Sequence, residues 1–123
     1  MTFEGIDGSG KSTQVELLRR ELERRGREVV ATREPGGTAL GEGIRDLVLH
    51  GVDMTAWTEA LLYAAARAEL VAEVIRPAVE RGGDVVDGFY AVADRFADRV
   101  VALDASRPPD ELAEEVRGHL GLS

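Results

Sequence analysis

Between Gly5 and Thr13 the sequence reads GIDGSGKST, and Gly5 through Ser12 fit the spacing G-x-x-x-x-G-K-[ST] that binds nucleotide phosphates. Each residue type serves that chemistry. Gly5, Gly8 and Gly10 let the backbone N–H groups of the loop, including those of Ile6, Asp7 and Ser9, turn inward around phosphate oxygens. The helix that follows adds the partial positive charge of its N-terminus. Lys11 is placed to reach the β- and γ-phosphates of a nucleotide, and the hydroxyl of Ser12, next to Thr13, to ligate Mg²⁺. ATPases, GTPases and small-molecule kinases share such a loop, and the loop alone does not choose among them. No Asn-Lys-x-Asp segment of the kind that reads guanine is present.

Such a loop works only between a strand and a helix, and the flanking residues supply both. Met1–Glu4 reads as the end of a buried strand. From Lys11 to Arg25, Val15, Leu18 and Leu22 recur at helical spacing, with Glu16/Arg20 and Glu21/Arg25 paired at i,i+4 and Gly26 as the stop. Glu28–Thr32 is a strand running into a Pro-Gly-Gly loop, and Leu40–Leu49 a helix. Thr58–Arg81 is a long helix kinked at Pro77 and ended by Gly82 and Gly83. Asp84–Val86 and Arg99–Leu103 read as strands, and Pro109, Asp110 and Glu111 open a last helix. This alternation predicts one α/β domain over residues 1–123, a mostly parallel sheet with helices on both faces.

The bulk composition narrows the partners. A formal charge of −8 over 123 residues repels nucleic acid and anionic membrane surfaces, leaving small soluble ligands. With no cysteine in the chain, disulfides and thiolate chemistry are excluded, which suits a reducing cytoplasm. No apolar run approaches the length of a membrane span and no signal-peptide pattern opens the sequence, so the expected location is cytoplasmic.

The segments FEGIDGSGKST, TREPGGT, EGIRDLVL, TEALLYAAARAELVAEVIRPAV and VVALDASRPPDELAEEV occur in that order, and together they closely resemble bacterial thymidylate kinase. The resemblance implies γ-phosphoryl transfer from ATP to dTMP with Mg²⁺, giving dTDP, and a homodimer. It implies that Asp7 is the acid near the dTMP sugar and phosphate, that Glu34 and Arg45 line the dTMP site, that Tyr63 stacks on thymine where the family usually has Phe, and that Arg67 hydrogen-bonds the base edge. Tyr63 and Arg67 stand at i,i+4 on one helix face, where a ring and a five-donor fork can meet one flat ligand. Read without the resemblance, Tyr63 is a core side chain, Arg67 and Arg45 are solvated heads, and Glu34 and Asp7 are loop residues. Asp104–Arg107 resembles the loop flanking adenine and reads equally well as a strand exit.

One part of the family pattern has no counterpart. The resemblance calls for an Asp-Arg pair after the strand GGDVV, then a further helix, a fourth strand and a lid with arginines, and none lies between Val86 and the last strand. Asp94-Arg95-Phe96 spells the pair, but Phe89, Val92, Ala93 and Phe96 recur at i, i+3, i+4 and i+7, which places it inside a helix. The expected fold is therefore a P-loop kinase-like sheet shortened near 86/87, with four strands in the order 2-3-1-5. Asp87 takes the place of the absent acid by position alone. The phosphate loop has Gly8 and Ser9 where some family members carry an arginine, so turnover is expected to be impaired. The alternative is a non-catalytic nucleotide-binding remnant.

Overall fold

The computed structural model describes residues 1–5, 8–89 and 101–122. Its centre is a parallel sheet of β1 (Thr2–Glu4), β2 (Val29–Arg33) and β3 (Asp84–Phe89) in the order β1-β3-β2. β3 pairs Asp87 with both Thr2 and Thr32, and Gly88 with both Phe3 and Arg33. Among the described residues five α-helices accompany the sheet: α1 (Lys11–Arg24), α2 (Ala39–His50), α3 (Ala56–Leu70), α4 (Arg76–Glu80) and α5 (Pro109–His119).

Alternation along β3 sorts the two faces. Val86 is buried with Leu18 and Leu22 of α1, Val116 of α5 and Leu122, and Phe3, Val15 and Val29 pack around them. On the other face lies α3, whose Leu70 is fully buried. Two of the expected ion pairs on α1 form, Glu16–Arg20 and Glu21–Arg25, each at 2.6 Å and on the surface, where such pairs contribute only tenths of a kcal/mol. At the head of α1, buried Gln14 donates to the Pro109 carbonyl at 2.9 Å and ties α1 to the start of α5.

The long helix expected around Pro77 is continuous but changes gauge. Between α3 and α4, Val71–Ile75 form a π-helical turn. Proline brings no N–H to the preceding turn and its ring crowds the carbonyl there, so a locally widened turn just ahead of Pro77 relieves both.

Two expectations are corrected. The sheet has three strands among the described residues where four in the order 2-3-1-5 were expected; the order of the first three holds. Arg99 and Val100 lie outside the described residues, and Val101–Leu103 are in no strand. Leu103 packs its side chain on the core cluster while Val101 stays exposed; one side chain is partly buried without a ladder, beside a β1 only three residues long. β3 also runs on through Phe89, past the Val86/Asp87 junction, so Phe89 ends a strand where it was expected to open a helix. Its backbone is held there by parallel pairing with Glu4. The rest of that expected helix, with Asp94, Arg95 and Phe96, lies outside the described residues.

Candidate active site

The phosphate loop leaves β1 at Gly5 and enters α1 through Gly10, with φ of +80° at Gly8 and +91° at Gly10. Those left-handed values are open to glycine and costly for other residues, which explains both positions. Gly10 caps α1 without a side-chain hydrogen bond, and no acid sits in the first turn. The helix N-terminus therefore keeps its N–H groups and its positive end for an anion. Lys11 Nζ donates to the Gly5 carbonyl, so the side chain folds back over the loop. Ser12 and Thr13 are exposed in the first helical turn, and Ser9 Oγ is buried with no hydrogen-bond partner among the described residues. Ile6 and Asp7 lie outside the described residues, so the expectations for them have no structural counterpart.

The loop after β2 is tied down at Glu34, Pro35, Gly37 and Thr38. Glu34 N–H donates to the Gly88 carbonyl at 2.9 Å, Arg45 Nη1 to the Pro35 carbonyl at 3.1 Å, and Gly37 N–H to Glu42 Oε1 at 2.9 Å. Glu42 also pairs with Arg33 at 2.8 Å, and that guanidinium with the Gly37 N–H holds its carboxyl below the usual range. Thr38 caps α2 by accepting from Gly41 N–H at 2.9 Å. A Cβ at Gly37 would stand 2.3 Å from Thr32 Oγ1 and 2.6 Å from Leu70 Cδ1, so only glycine passes there.

Between the two loops lies a cleft of about 1110 Å³. It brings together Lys11, Ser12, Glu34, Arg45 and Tyr63, each singled out in the sequence, although they come from four separate elements and loops. Gly88 forms part of its wall, and a side chain there would meet nothing within 4 Å. Arg67 stands apart from the rest: it lines a second cavity, of about 580 Å³, and reaches the cleft through Glu34, whose Oε1 lies 2.7 Å from its Nη1. Arg33 and Glu42 also line the cleft. Sequence reasoning missed both, although Glu42 and Arg45 one turn apart on α2 hinted at a charged rim.

Glu34 is the electrostatic centre of the arrangement. Its side chain is 3% exposed, and burial, then contact with the equally buried Asp87, push its carboxyl up to about 8 against the pull of Arg67. Asp104–Arg107, expected either near adenine or as a strand exit, forms a turn closed by Ser106 N–H on Asp104 Oδ1 at 3.0 Å, with Arg107 paired to Glu115 of α5. Among the described residues no three His, Cys, Asp or Glu side chains converge as a metal cage. A Mg²⁺ carried by nucleotide phosphates suits this site, because such an ion takes few protein ligands and Ser12 offers one hydroxyl.

A family model described as thymidylate kinase matches residues 3–107. The chain belongs to the thymidylate kinase family. A thymidylate kinase of Bifidobacterium longum (strain DJO10A) is 56% identical over 110 residues, covering 85% of this chain and 50% of that protein. One from Thermosipho melanesiensis is 53% identical over 102 residues, covering 83% and 48%. The crystal structure of thymidylate kinase from Ehrlichia chaffeensis aligns with a TM-score of 0.68 at 34% identity, over 94% of this chain and 67% of that one. The chain thus has the thymidylate kinase fold and spans about half the length of the curated relatives it matches. Among the described residues no helix is long and apolar enough to cross a membrane.

Proposed function

We propose that this thymidylate kinase-family chain binds ATP with Mg²⁺ and dTMP in the one cleft and transfers the γ-phosphoryl of ATP to dTMP, giving dTDP, at an impaired rate. The observation that carries this reading is that Lys11 and Ser12 share a single cleft with Glu34, Arg45 and Tyr63, so a phosphate donor and a flat acceptor can meet there. The α1 N-terminus and Lys11 hold the ATP phosphates, Ser12 holds Mg²⁺, and that ion neutralises charge on the transferring group when bound. Arg45, fixed to the Pro35 carbonyl by one nitrogen, keeps other donors for the acceptor phosphate. Tyr63 stacks on thymine, Asp7 and Glu34 border the sugar, the loop from Gly5 to Thr13 encloses the phosphates, and Arg67, which lines the second cavity, reads the base edge by turning from Glu34 into the cleft.

The impairment follows from charge. Phosphoryl transfer depends on cations set around the equatorial oxygens, and one arginine finger is worth about 10³ to 10⁵ in rate. The Asp-Arg pair and lid expected of the family have no counterpart in this sequence, which we ascribe to an internal deletion near 86/87 within one domain spanning 1–123. The protein acts in the cytoplasm, where both nucleotides are found, as a homodimer. Trp57 and Leu61 on α3 are 81% and 68% exposed, with Leu40 and Leu47 of α2 about half exposed, and apolar area of that kind marks a subunit contact.

Calorimetric titration tests the site. ATP·Mg²⁺ and dTMP each bind, and bind together; Lys11→Ala abolishes the first and Tyr63→Ala the second. Mutual exclusion of the two ligands would refute the shared cleft.

A further inference from the structure

Glu34 and Asp87 form the wall between the two cavities, Glu34 facing the nucleotide cleft and Asp87 the smaller space beneath it. Both are buried, at 6% and 2% exposure. Neither oxygen of Asp87 receives a hydrogen bond from any N–H or O–H of the described residues, while Glu34 Oε1 is paired with Arg67 at 2.7 Å, and the two carboxyls contact each other. Two adjacent buried carboxylates repel, and a proton held between them removes the repulsion and gives Asp87 the donor it lacks.

We propose that Glu34 and Asp87 share one proton, and that Asp87 is thereby a positioning residue that keeps the Glu34–Arg67 pair electrically neutral toward an anionic nucleotide in the cleft. The inference rests on the nucleotide reading above for its ligand. With the proton in place, one negative charge on the carboxyl pair balances one guanidinium. When base removes it, the wall of the cleft gains a negative charge and Arg67 is drawn fully onto its two acids. The proton leaves to water through the second cavity, which Asp87 lines.

Among the described residues, Lys11, Glu16, Arg33, Glu42, Arg45 and Glu59 line the cleft with Glu34, Arg33 and Glu42 being paired with each other. Arg67 approaches from α3. Just ahead of β1, the Met1 ammonium donates to the Val85 carbonyl at 2.6 Å, and the Met1 carbonyl accepts the Asp87 N–H at 2.8 Å. Arg27 and Asp84 line the same cavity but neutralise each other at 2.6 Å. The Met1 ammonium is a charge close to the pair as well, so the test needs a variant that removes only the carboxyl pair.

Asp87→Asn is that variant, and carbon-13 NMR of the wild-type side-chain carboxyls needs no variant at all. In the wild type, Glu34 is expected to titrate with a midpoint above pH 7, and in Asp87→Asn to return toward the ordinary carboxyl range. With dTMP as the probe, a dianion at both pH values, wild-type affinity is expected to fall about two- to tenfold from pH 7 to 9, the size of one added charge at a distance of several ångström. In Asp87→Asn the fall disappears. A wild-type Glu34 midpoint near 4.5, or an affinity that falls equally in both proteins, would overturn the proposal. Absence of dTMP binding at any pH would overturn the nucleotide reading instead, while the carboxyl titration still decides whether the proton is shared.

Discussion

Replacing Gly37 by alanine tests the packing that holds the loop after β2 against the floor of the cleft. Gly37 has a φ of +78°, and a Cβ there would lie 2.3 Å from Thr32 Oγ1 and 2.6 Å from Leu70 Cδ1. The left-handed backbone alone costs an alanine about 1 kcal/mol, partly offset by the lower entropy of its unfolded chain. Leu70 is 0% exposed and has nowhere to retreat, so the clash adds about 1–3 kcal/mol, typical of overpacking. Gly82 is the internal control: its φ is +79°, but an added Cβ meets nothing within 4 Å. Gly82→Ala should therefore cost no more than about 1 kcal/mol, and Gly37→Ala about 2–4 kcal/mol. For a domain of this size the second corresponds to a loss of about 10 °C in Tm. Thermal and urea unfolding followed by circular dichroism read both. Equal losses in the two variants would refute the close approach of Gly37 to Thr32 and Leu70.

Other perturbations probe different parts of the account. Leu70→Ala should lower unfolding free energy by about 2–5 kcal/mol, measured by urea titration, because the side chain is wholly enclosed. Thr38→Ala removes the cap on α2 and should cost about 1 kcal/mol in the same assay. Glu34 carries the pH dependence: its carboxyl stands at about 8 in the folded protein against 4.5, so the folded state binds the extra proton between those values. That contribution to stability is complete below pH 4.5 and is lost as pH rises through 8, by on the order of a few kcal/mol. Urea midpoints from pH 5 to 9 should decline in the wild type, and Glu34→Gln should remove this part of the decline.

The local parts of this fold were legible and the non-local ones were not. The phosphate loop declares itself because its glycines, lysine and serine are neighbours in sequence, and α1 because Leu18 and Leu22 stand one turn apart. Pro77 foretold a disturbed helix, although a proline alone does not say whether the turn widens or bends. Glu34 reads from sequence as a polar loop residue; its burial depends on Gly88 and Arg67, which meet it only after the sheet has ordered β3 between β1 and β2. The contact with Asp87 joins the loop after β2 to β3, so no spacing rule reaches it. Leu103 sits in an apolar run that reads as a strand, and its partial burial is met by side-chain packing without a ladder. Arg67 and Tyr63 share a helix face by spacing, yet the tie to Glu34 turns the arginine toward the second cavity.

The central claim is that the cleft performs phosphoryl transfer, and a coupled assay of ADP release from purified protein with ATP, Mg²⁺ and dTMP tests it most directly. The account predicts slow, dTMP-dependent turnover that saturates with dTMP and disappears in Lys11→Ala. Release of ADP at the same rate with or without dTMP, or no difference between the wild type and Lys11→Ala, would contradict it.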